Sequence, residues 1–359
     1  MLRKTVLITG CSDNGIGSGL ALTFQAQDYY VFATARNPAK MSKLADLPNV
    51  TLLPLDVCKN EEITAAVEAV KSHTGGTGKL DYLINNAGQG HFMPILDQDL
   101  KNARDLYESN VWGPLAVTQA FAPLLINANG TVTFITSVSG HINCPYIGVY
   151  AASKQSLEII AETLRLELQP FDVRVLSVVT GAVQSMGQVG RFDEYKLPED
   201  SMYKPIEAFI KDRAQGKDGI EREELMTYCN KVVSEITDGR AKKFWCGGSA
   251  GFARITSCRK ERGLMFWQQI RRAINEYFQT QRLVCGGRFG SGVIVHIHPV
   301  FVFIHVRSCI ISVHYACSTQ AYVRQRNFSL DVGVEHDVHL HTGKALEPEY
   351  ECMDWMLNR

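Results

Sequence analysis

Apolar residues in the first half of the chain fall in short, nearly unbroken runs rather than in strict alternation. The runs are Thr5–Ile8, Tyr30–Ala35, Val50–Leu55, Leu80–Asn85, Thr131–Ile135 and Val173–Val179. Runs of this length and character predict strands of a parallel sheet covered on both faces. Between them the apolar period lengthens to that of a helix, over Glu61–Ser72, over Leu100–Asn110 with a continuation through Phe121, and over Ser153–Leu168. Strand and helix alternating in this way predict an α/β fold, a doubly wound parallel sheet of Rossmann type. In such a sheet ligands bind at the carboxyl ends of the strands.

The first of those strand ends carries glycines. In "TVLITGCSDNGIG" the run ends at Gly10, and Gly15 and Gly17 follow before Leu20, Ala21, Leu22 and Phe24 open a helix-like pattern. A glycine turn ahead of a helix can bring backbone N–H groups and the positive helix end against a phosphate. The spacing Gly10-x4-Gly15-x-Gly17 is not the G-x-G-x-x-G fingerprint, so geometry alone could also explain these glycines. The second strand, "VFATARNP", ends in Arg36 with no acid beside it. An acid there accepts from a ribose 2′-hydroxyl, whereas an arginine suits a 2′-phosphate, so the expected cofactor is NADP(H).

"YAASK" places Tyr150 and Lys154 four apart, on one face of a helix. An ammonium close to a phenol favours the phenolate and lowers its pKa, which is what proton transfer near neutral pH requires. Ser137 in "FITSVSG" lies thirteen residues upstream at the end of a strand, where its hydroxyl can meet the same substrate oxygen; Ser139 is its rival for that role.

Composition changes this picture little. The chain has 359 residues, 45% hydrophobic and 21% charged, with 37 basic against 37 acidic residues. Net neutrality gives no general attraction to nucleic acid, and none is expected as a partner. Four residues precede the first strand, which leaves no room for a cleaved signal. A reducing, cytoplasmic setting is therefore expected, with the ten cysteines as thiols. No C-x-x-C pair occurs and no metal is expected.

The sequence resembles the short-chain dehydrogenase/reductase family through "TGCSDNGIG", "NNAG" at Asn85–Gly88, "SNVWG" at Ser109–Gly113, "ITSVSG", "YAASK" and "VVTGAVQS" at Val178–Ser185. These stand in the family's order over roughly residues 1–250. Within it, the extended glycine turn, "VTGAVQS", "KLPEDSMYKPIE" and "KFWCGGSAG" resemble a fungal group typified by 1-acyldihydroxyacetone-phosphate reductase, which also holds reductases of secondary metabolism. The resemblance implies that Tyr150 is the general acid or base, that Ser137 positions the carbonyl oxygen, that Lys154 tunes the phenol and binds ribose, and that Asn110 holds a water in a proton relay. A plain helix C-cap is the alternative for Asn110. The resemblance further implies cofactor contacts from Gly10, Ser12, Gly15, Ile16, Gly17, Arg36, Asp56, Asn86, Val183 and Ser185. Asn14 stands where the family usually has glycine, and asparagine tolerates a left-handed backbone.

The reaction so implied is NADPH-dependent reduction of a ketone to a secondary alcohol, or its reverse, on a lipid-like or secondary-metabolite substrate. Reduction of 1-acyldihydroxyacetone phosphate in lipid metabolism is an alternative, and a non-catalytic NADP-binding scaffold or sensor is another of a different class. Phe192, Tyr195, Met202, Tyr203 and Phe209 follow the sixth strand and are expected either to cover a greasy ligand or to pack as a flap on their own core. The partners expected are the small-molecule substrate, a second copy of the chain and, weakly, a lipid surface such as that of lipid droplets or endoplasmic reticulum.

The motifs define residues 1–256 as the catalytic domain and 257–359 as an atypical extension. Seven of the ten histidines and five of the ten cysteines lie beyond Ser257. The apolar run from Gly292 is broken by Pro299, Arg307 and four histidines, which argues against a membrane span and leaves a strand-rich appendage or a poorly ordered segment as the expectation. A mistaken gene boundary is the other reading of this tail.

Overall fold

A computed structural model describes residues 3–76, 78–185, 192, 194–239 and 242–257, and strands at 294–297, 302–306 and 309–313. The chain falls into two compact units, 1–290 and 291–359. The last helix described in the first unit runs to Ser257, one residue past the boundary expected after residue 256, whereas the two units divide between residues 290 and 291; residues 258–290 lie outside the described residues.

The first unit is built on β1 (Thr5–Thr9), β2 (Tyr30–Ala35), β3 (Val50–Pro54), β4 (Tyr82–Asn85), β5 (Thr131–Ser137), β6 (Arg174–Thr180) and β7 (Lys243–Cys246). They form one parallel sheet in the order β3-β2-β1-β4-β5-β6-β7. The winding reverses between β1 and β4, so the crevice for a ligand opens beyond the ends of those two strands. The helices are α1 (Ile16–Ala26), α2 (Asn60–His73), α3 (Leu100–Tyr107), α4 (Gly113–Ala128), α5 (Gly148–Glu167), α6 (Glu207–Ala214), α7 (Leu225–Asp238) and α8 (Ala250–Ser257).

Strand β1 is buried at every position, yet its side chains still alternate between two cores. Val6 and Ile8 join Leu20 and Phe24 of α1 and Val232 of α7. Leu7 joins Val67 of α2, Phe121 of α4 and Leu157 of α5 on the other face. Each such fully buried side chain contributes about 1.5–3 kcal/mol over its exposed state. Helices on both faces are therefore what makes an all-apolar strand stable.

Two departures from the sequence pattern bear on the site. The helix expected from Leu100 through Phe121 is interrupted by a π turn at Glu108–Trp112 between α3 and α4. Among the described residues Leu100–Ala128 is also the one helical stretch long and apolar enough to cross a membrane, and its Phe121, Leu124 and Leu125 face the second core. Strand β7 was not expected: it is four residues long, and only Cys246 in it is buried.

The second unit contains β8 (Ile294–Ile297), β9 (Val302–Val306) and β10 (Cys309–Val313), an antiparallel sheet in the order β10-β9-β8. These three strands fall within the apolar run that begins at Gly292.

Helix α7 is pinned to the end of β6 by Tyr228, wholly buried, whose hydroxyl lies 2.7 Å from Thr180 Oγ1. Tyr228→Phe removes one buried hydrogen bond worth about 1 kcal/mol. Thermal unfolding should show a Tm lower by about 2–4 °C with the fold retained.

Candidate active site

The crevice begins where β1 and β4 end. Thr9 Oγ1 accepts from the backbone N–H groups of Asn86 (3.0 Å) and Ala87 (2.9 Å) and donates to Ile84 O (3.3 Å). In return Asn86 Nδ2 donates to Thr9 O (2.8 Å) and Gly10 O (3.1 Å). Gly10 turns at φ +75°, and a Cβ there would stand 2.9 Å from Ala87 Cα. A Cβ on Gly17 would meet Gly10 O at 2.4 Å. Only a glycine backbone fits this turn, and it leaves the start of α1 close to the strand ends. Gly15 caps that helix without any side-chain hydrogen bond, so its first N–H groups face outward as an anion site does. These features suit the pyrophosphate of a dinucleotide. Asn14 adopts φ +61°, the left-handed conformation its residue type allows.

The glycine turn is latched to the segment after β2. Asp13 accepts from Ser42 N (2.9 Å), Ser42 Oγ (2.7 Å) and Lys43 N (3.1 Å), and Lys43 Nζ donates to Asn14 Oδ1 (2.6 Å). The hydrogen bonds from Ser42 and Lys43 outweigh burial and hold the Asp13 carboxyl below its ordinary range. Arg36 follows β2 directly and is exposed, as is Ser12 in the turn. Asp56, after β3, accepts from Cys58 N (3.1 Å), and Ile16 packs on the first core. Val183 is buried beyond β6 and bridges Glu223; Ser185 ends the described part of that segment.

The residues that the sequence singles out for proton transfer gather at the end of β5. Ser137 closes the strand, and its Oγ accepts from Ser139 N (3.2 Å) and Ser139 Oγ (2.9 Å) across a single 3₁₀ turn. Both hydroxyls reach the phenol of Tyr150 on α5. Ser139, the rival, is therefore present in the same cluster rather than displaced by Ser137. Lys154, one turn further along α5, is buried and donates from Nζ to Ile135 O at 2.9 Å. A Cβ on Gly88 would stand 3.4 Å from Lys154 Nζ and 3.1 Å from Asn110 Oδ1, so the loop after β4 closes on both.

Asn110 lies inside the π turn and is fully buried; it is not a C-cap. Its Oδ1 accepts from Gln89 N (2.7 Å), while Nδ2 donates to Gln89 O (2.9 Å) and Ser153 Oγ (3.1 Å). The side chain thereby ties the loop after β4 to the helix of Tyr150. Gln89 was not singled out in the sequence, because no spacing marks a residue held through its backbone.

Burial dominates the electrostatics. It raises the Tyr150 phenol above its ordinary value, and the hydroxyls of Ser137 and Ser139 pull it part of the way back. The expectation of a phenol lowered by Lys154 is not met in this form: the ammonium is directed to Ile135 O, and burial pushes Lys154 itself down to about 8. His141, beyond the serines, turns away from the cluster to lie 4.7 Å from the ring of Trp245. Burial holds it below its usual value against the pull of Glu158. Glu158 in turn pairs with Lys243 at 2.8 Å.

The flap after β6 forms a third apolar cluster of Phe192, Tyr195, Leu197, Ile210 and Ala214, packed on Phe92, Met93 and Tyr146. Met202 and Phe209, expected among the covering residues, are instead 75% and 60% exposed. Phe192 reaches the loop after β4, 3.8 Å from where a Cβ on Gly90 would stand.

A doubly wound sheet with a glycine turn at its switch point defines a Rossmann-type fold. Residues 4–195 match the short chain dehydrogenase family, and the chain belongs to it. It is 48% identical over 254 residues to a short-chain dehydrogenase of Penicillium crustosum, covering 70% of this chain and 92% of that protein. An NADPH-dependent 1-acyldihydroxyacetone phosphate reductase of Schizosaccharomyces pombe is 37% identical over 211 residues, 58% of this chain and 70% of its own length. A crystal structure of a short-chain dehydrogenase from Streptomyces avermitilis aligns with a TM-score of 0.62 at 26% identity, over 76% of this chain and 98% of that one. One from Burkholderia cenocepacia in complex with NADP shares the fold, with a TM-score of 0.58 at 23% identity over 73% and 95%. Members of the family take a nicotinamide cofactor, and the protein is accordingly an oxidoreductase acting on alcohol or carbonyl groups.

Burial of Lys154 has a measurable consequence for the free enzyme. Between about 8 and the ordinary 10.5 the folded state has shed this proton while the unfolded chain still binds it. Stability gains with pH wherever the unfolded state holds more protons. The Tm of the wild type relative to Lys154→Met should therefore rise as pH is raised through that window and stay flat below it, which thermal melts across the range would read directly.

Proposed function

We propose that the protein reduces a ketone to a secondary alcohol, or runs the reverse reaction, using NADP(H) and a Ser-Tyr-Lys site. The observation that carries this reading is the convergence of Ser137, Ser139 and Tyr150 at the end of β5, with Lys154 buried one turn away. The nicotinamide, when bound, supplies or takes the hydride. The chain's own part is to hold the carbonyl and to move the proton. Tyr150 donates to the carbonyl oxygen, and Ser137 hydrogen-bonds that same oxygen. Lys154 binds ribose hydroxyls and, titrating near 8, can pass a proton toward the phenol. Both amide hydrogens of Asn110 are given to Gln89 and Ser153 and its Oδ1 accepts from Gln89 N, so a relay water would rest on an oxygen of this residue, the backbone carbonyl in the π turn or the remaining lone pair of Oδ1.

For the cofactor, Gly10, Ser12, Gly15, Ile16 and Gly17 would line the pyrophosphate. Asp56 and Asn86 would hold the adenosine, and Val183 and Ser185 the nicotinamide amide. The two amide hydrogens of Asn86 are already given to Thr9 and Gly10, which leaves its oxygen for a ribose. Arg36, exposed after β2, would meet the 2′-phosphate. The apolar flap of Phe192, Tyr195 and Leu197 suits a lipid-like or aromatic substrate. Reduction of 1-acyldihydroxyacetone phosphate is the second reading, favoured by the Schizosaccharomyces pombe relative. NADPH oxidation with long-chain ketones, aromatic polyketide ketones and that acyl phosphate side by side would separate the two.

Tyr150→Phe should cut carbonyl reduction by about 100- to 10,000-fold while cofactor binding stays near wild type. Turnover within a few-fold of wild type would remove Tyr150 from the role. Arg36→Ala should cost NADPH affinity about ten- to a hundredfold and leave NADH unchanged, as fits loss of a charge-assisted contact of about 1.5–3 kcal/mol. Fluorescence titration of both cofactors reads this, and equal wild-type affinities for the two would overturn it.

A further inference from the structure

The two serines of the site are not equivalent, and the hydrogen bonding between them assigns a task to the second. Ser137 leaves β5 in extended conformation (φ −150°, ψ 147°), and the 3₁₀ turn Val138–Gly140 brings Ser139 back over it. Ser139 then gives Ser137 two hydrogen bonds, from its backbone N–H at 3.2 Å and from its hydroxyl at 2.9 Å. A serine oxygen has two acceptor lone pairs and one proton. Both lone pairs of Ser137 are taken by Ser139.

We propose that Ser139 is a positioning residue that makes Ser137 a donor only, fixing its single proton toward the space between Ser137 and Tyr150. A ketone oxygen, which can only accept, finds that proton already aimed at it. Without the second hydroxyl, one lone pair of Ser137 is freed, and the group can rotate to accept from Tyr150 instead of donating to the substrate. The chain Ser139 to Ser137 to Tyr150 also polarises in one sense, so each donor strengthens the next. The backbone N–H bond persists in any substitution at 139, so the turn itself stays capped. Ser139 thus acts on the substrate oxygen through Ser137, beside its own contact with the Tyr150 phenol. This inference rests on the reading of Ser137 and Tyr150 given under Proposed function.

A mutant cycle of Ser139→Ala, Ser137→Ala and the double variant, with Ser139→Thr as the conservative control, tests the idea. Turnover is read with NADPH and phenanthrenequinone. The titration of Tyr150, read as the tyrosinate absorbance difference from Tyr150→Phe, needs no substrate. Ser139→Ala should lower kcat about five- to tenfold, as expected for one lost hydrogen bond, with KM changed less. It should also raise the pH at which the Tyr150 phenol ionises. The effect on kcat should vanish in the Ser137→Ala background, since residues acting through one another are not additive, while the phenol shift, which Ser139 also exerts by direct contact, should persist there. Ser139→Thr, which keeps the hydroxyl, should restore both. Equal effects of Ser139→Ala on kcat in the two backgrounds would overturn the proposal. So would an unshifted phenol in Ser139→Ala, or a Ser139→Thr variant as impaired as the alanine. Collapse of turnover in Tyr150→Phe beside an unaffected Ser139→Ala defeats this inference alone, whereas an active Tyr150→Phe defeats the reading beneath it.

Discussion

The glycine turn that a nucleotide's phosphates would meet hangs from one reciprocal set of hydrogen bonds, that between Thr9 at the end of β1 and Asn86 just beyond β4. One threonine hydroxyl accepts from two backbone N–H groups, and one asparagine amide donates to two carbonyls. The parallel ladder ends at this level, with Ile8 the last β1 residue in register with β4, so strand pairing alone would not hold the two chains together there. The side chains continue the pairing past the sheet. They hold the strand ends at a fixed separation, and the glycine turn is packed against that join closely enough to exclude any Cβ at Gly10 or Gly17.

Helix α5 plays the corresponding part at the reactive end. Tyr150, Lys154 and Glu158 recur at four-residue spacing and so share one face. That face is polar, half-buried at Tyr150 and buried at Lys154 and Glu158, an expensive arrangement unless each group has a partner. Tyr150 meets two serine hydroxyls, Lys154 a carbonyl of β5 and Glu158 the ammonium of Lys243 on β7. The helix is thereby indexed against the sheet at three heights. Rotation or sliding of α5 would break all three contacts together.

Much of this was legible in the sequence because the physics concerned is local. Six of the seven strands stand out as apolar runs, and the glycine turn, Arg36, Ser137, Tyr150 and Lys154 fall at strand ends or on a helix face where spacing reveals them. What was not legible depends on contacts far apart in the chain. Strand β7 is short and half-exposed and is defined by pairing with β6, not by its composition. Gln89 meets Asn110 through backbone groups that carry no residue signature, and its side chain donates to Ser109 Oγ from twenty residues away in the chain. The direction of the Tyr150 shift depends on how deeply the phenol is buried, and the sequence shows only that an ammonium could be near. The exposure of Met202 and Phe209 is a similar case: apolar character favoured burial, but the short helix α6 turns only Ile210 and Ala214 inward.

The π turn between α3 and α4 holds one residue more than an α-helix would use to span the same rise. In terms of chain length it is an insertion that the fold has absorbed without displacing α4. Loss of a single residue from Glu108–Trp112 would let α3 and α4 merge into one regular helix, leaving Phe121 and Leu125 in the same core. The sheet, the cores and the glycine turn would survive such a deletion. Asn110 would not keep its place between Gln89 and Ser153, so this is a point in the chain where folding and chemistry can be lost separately.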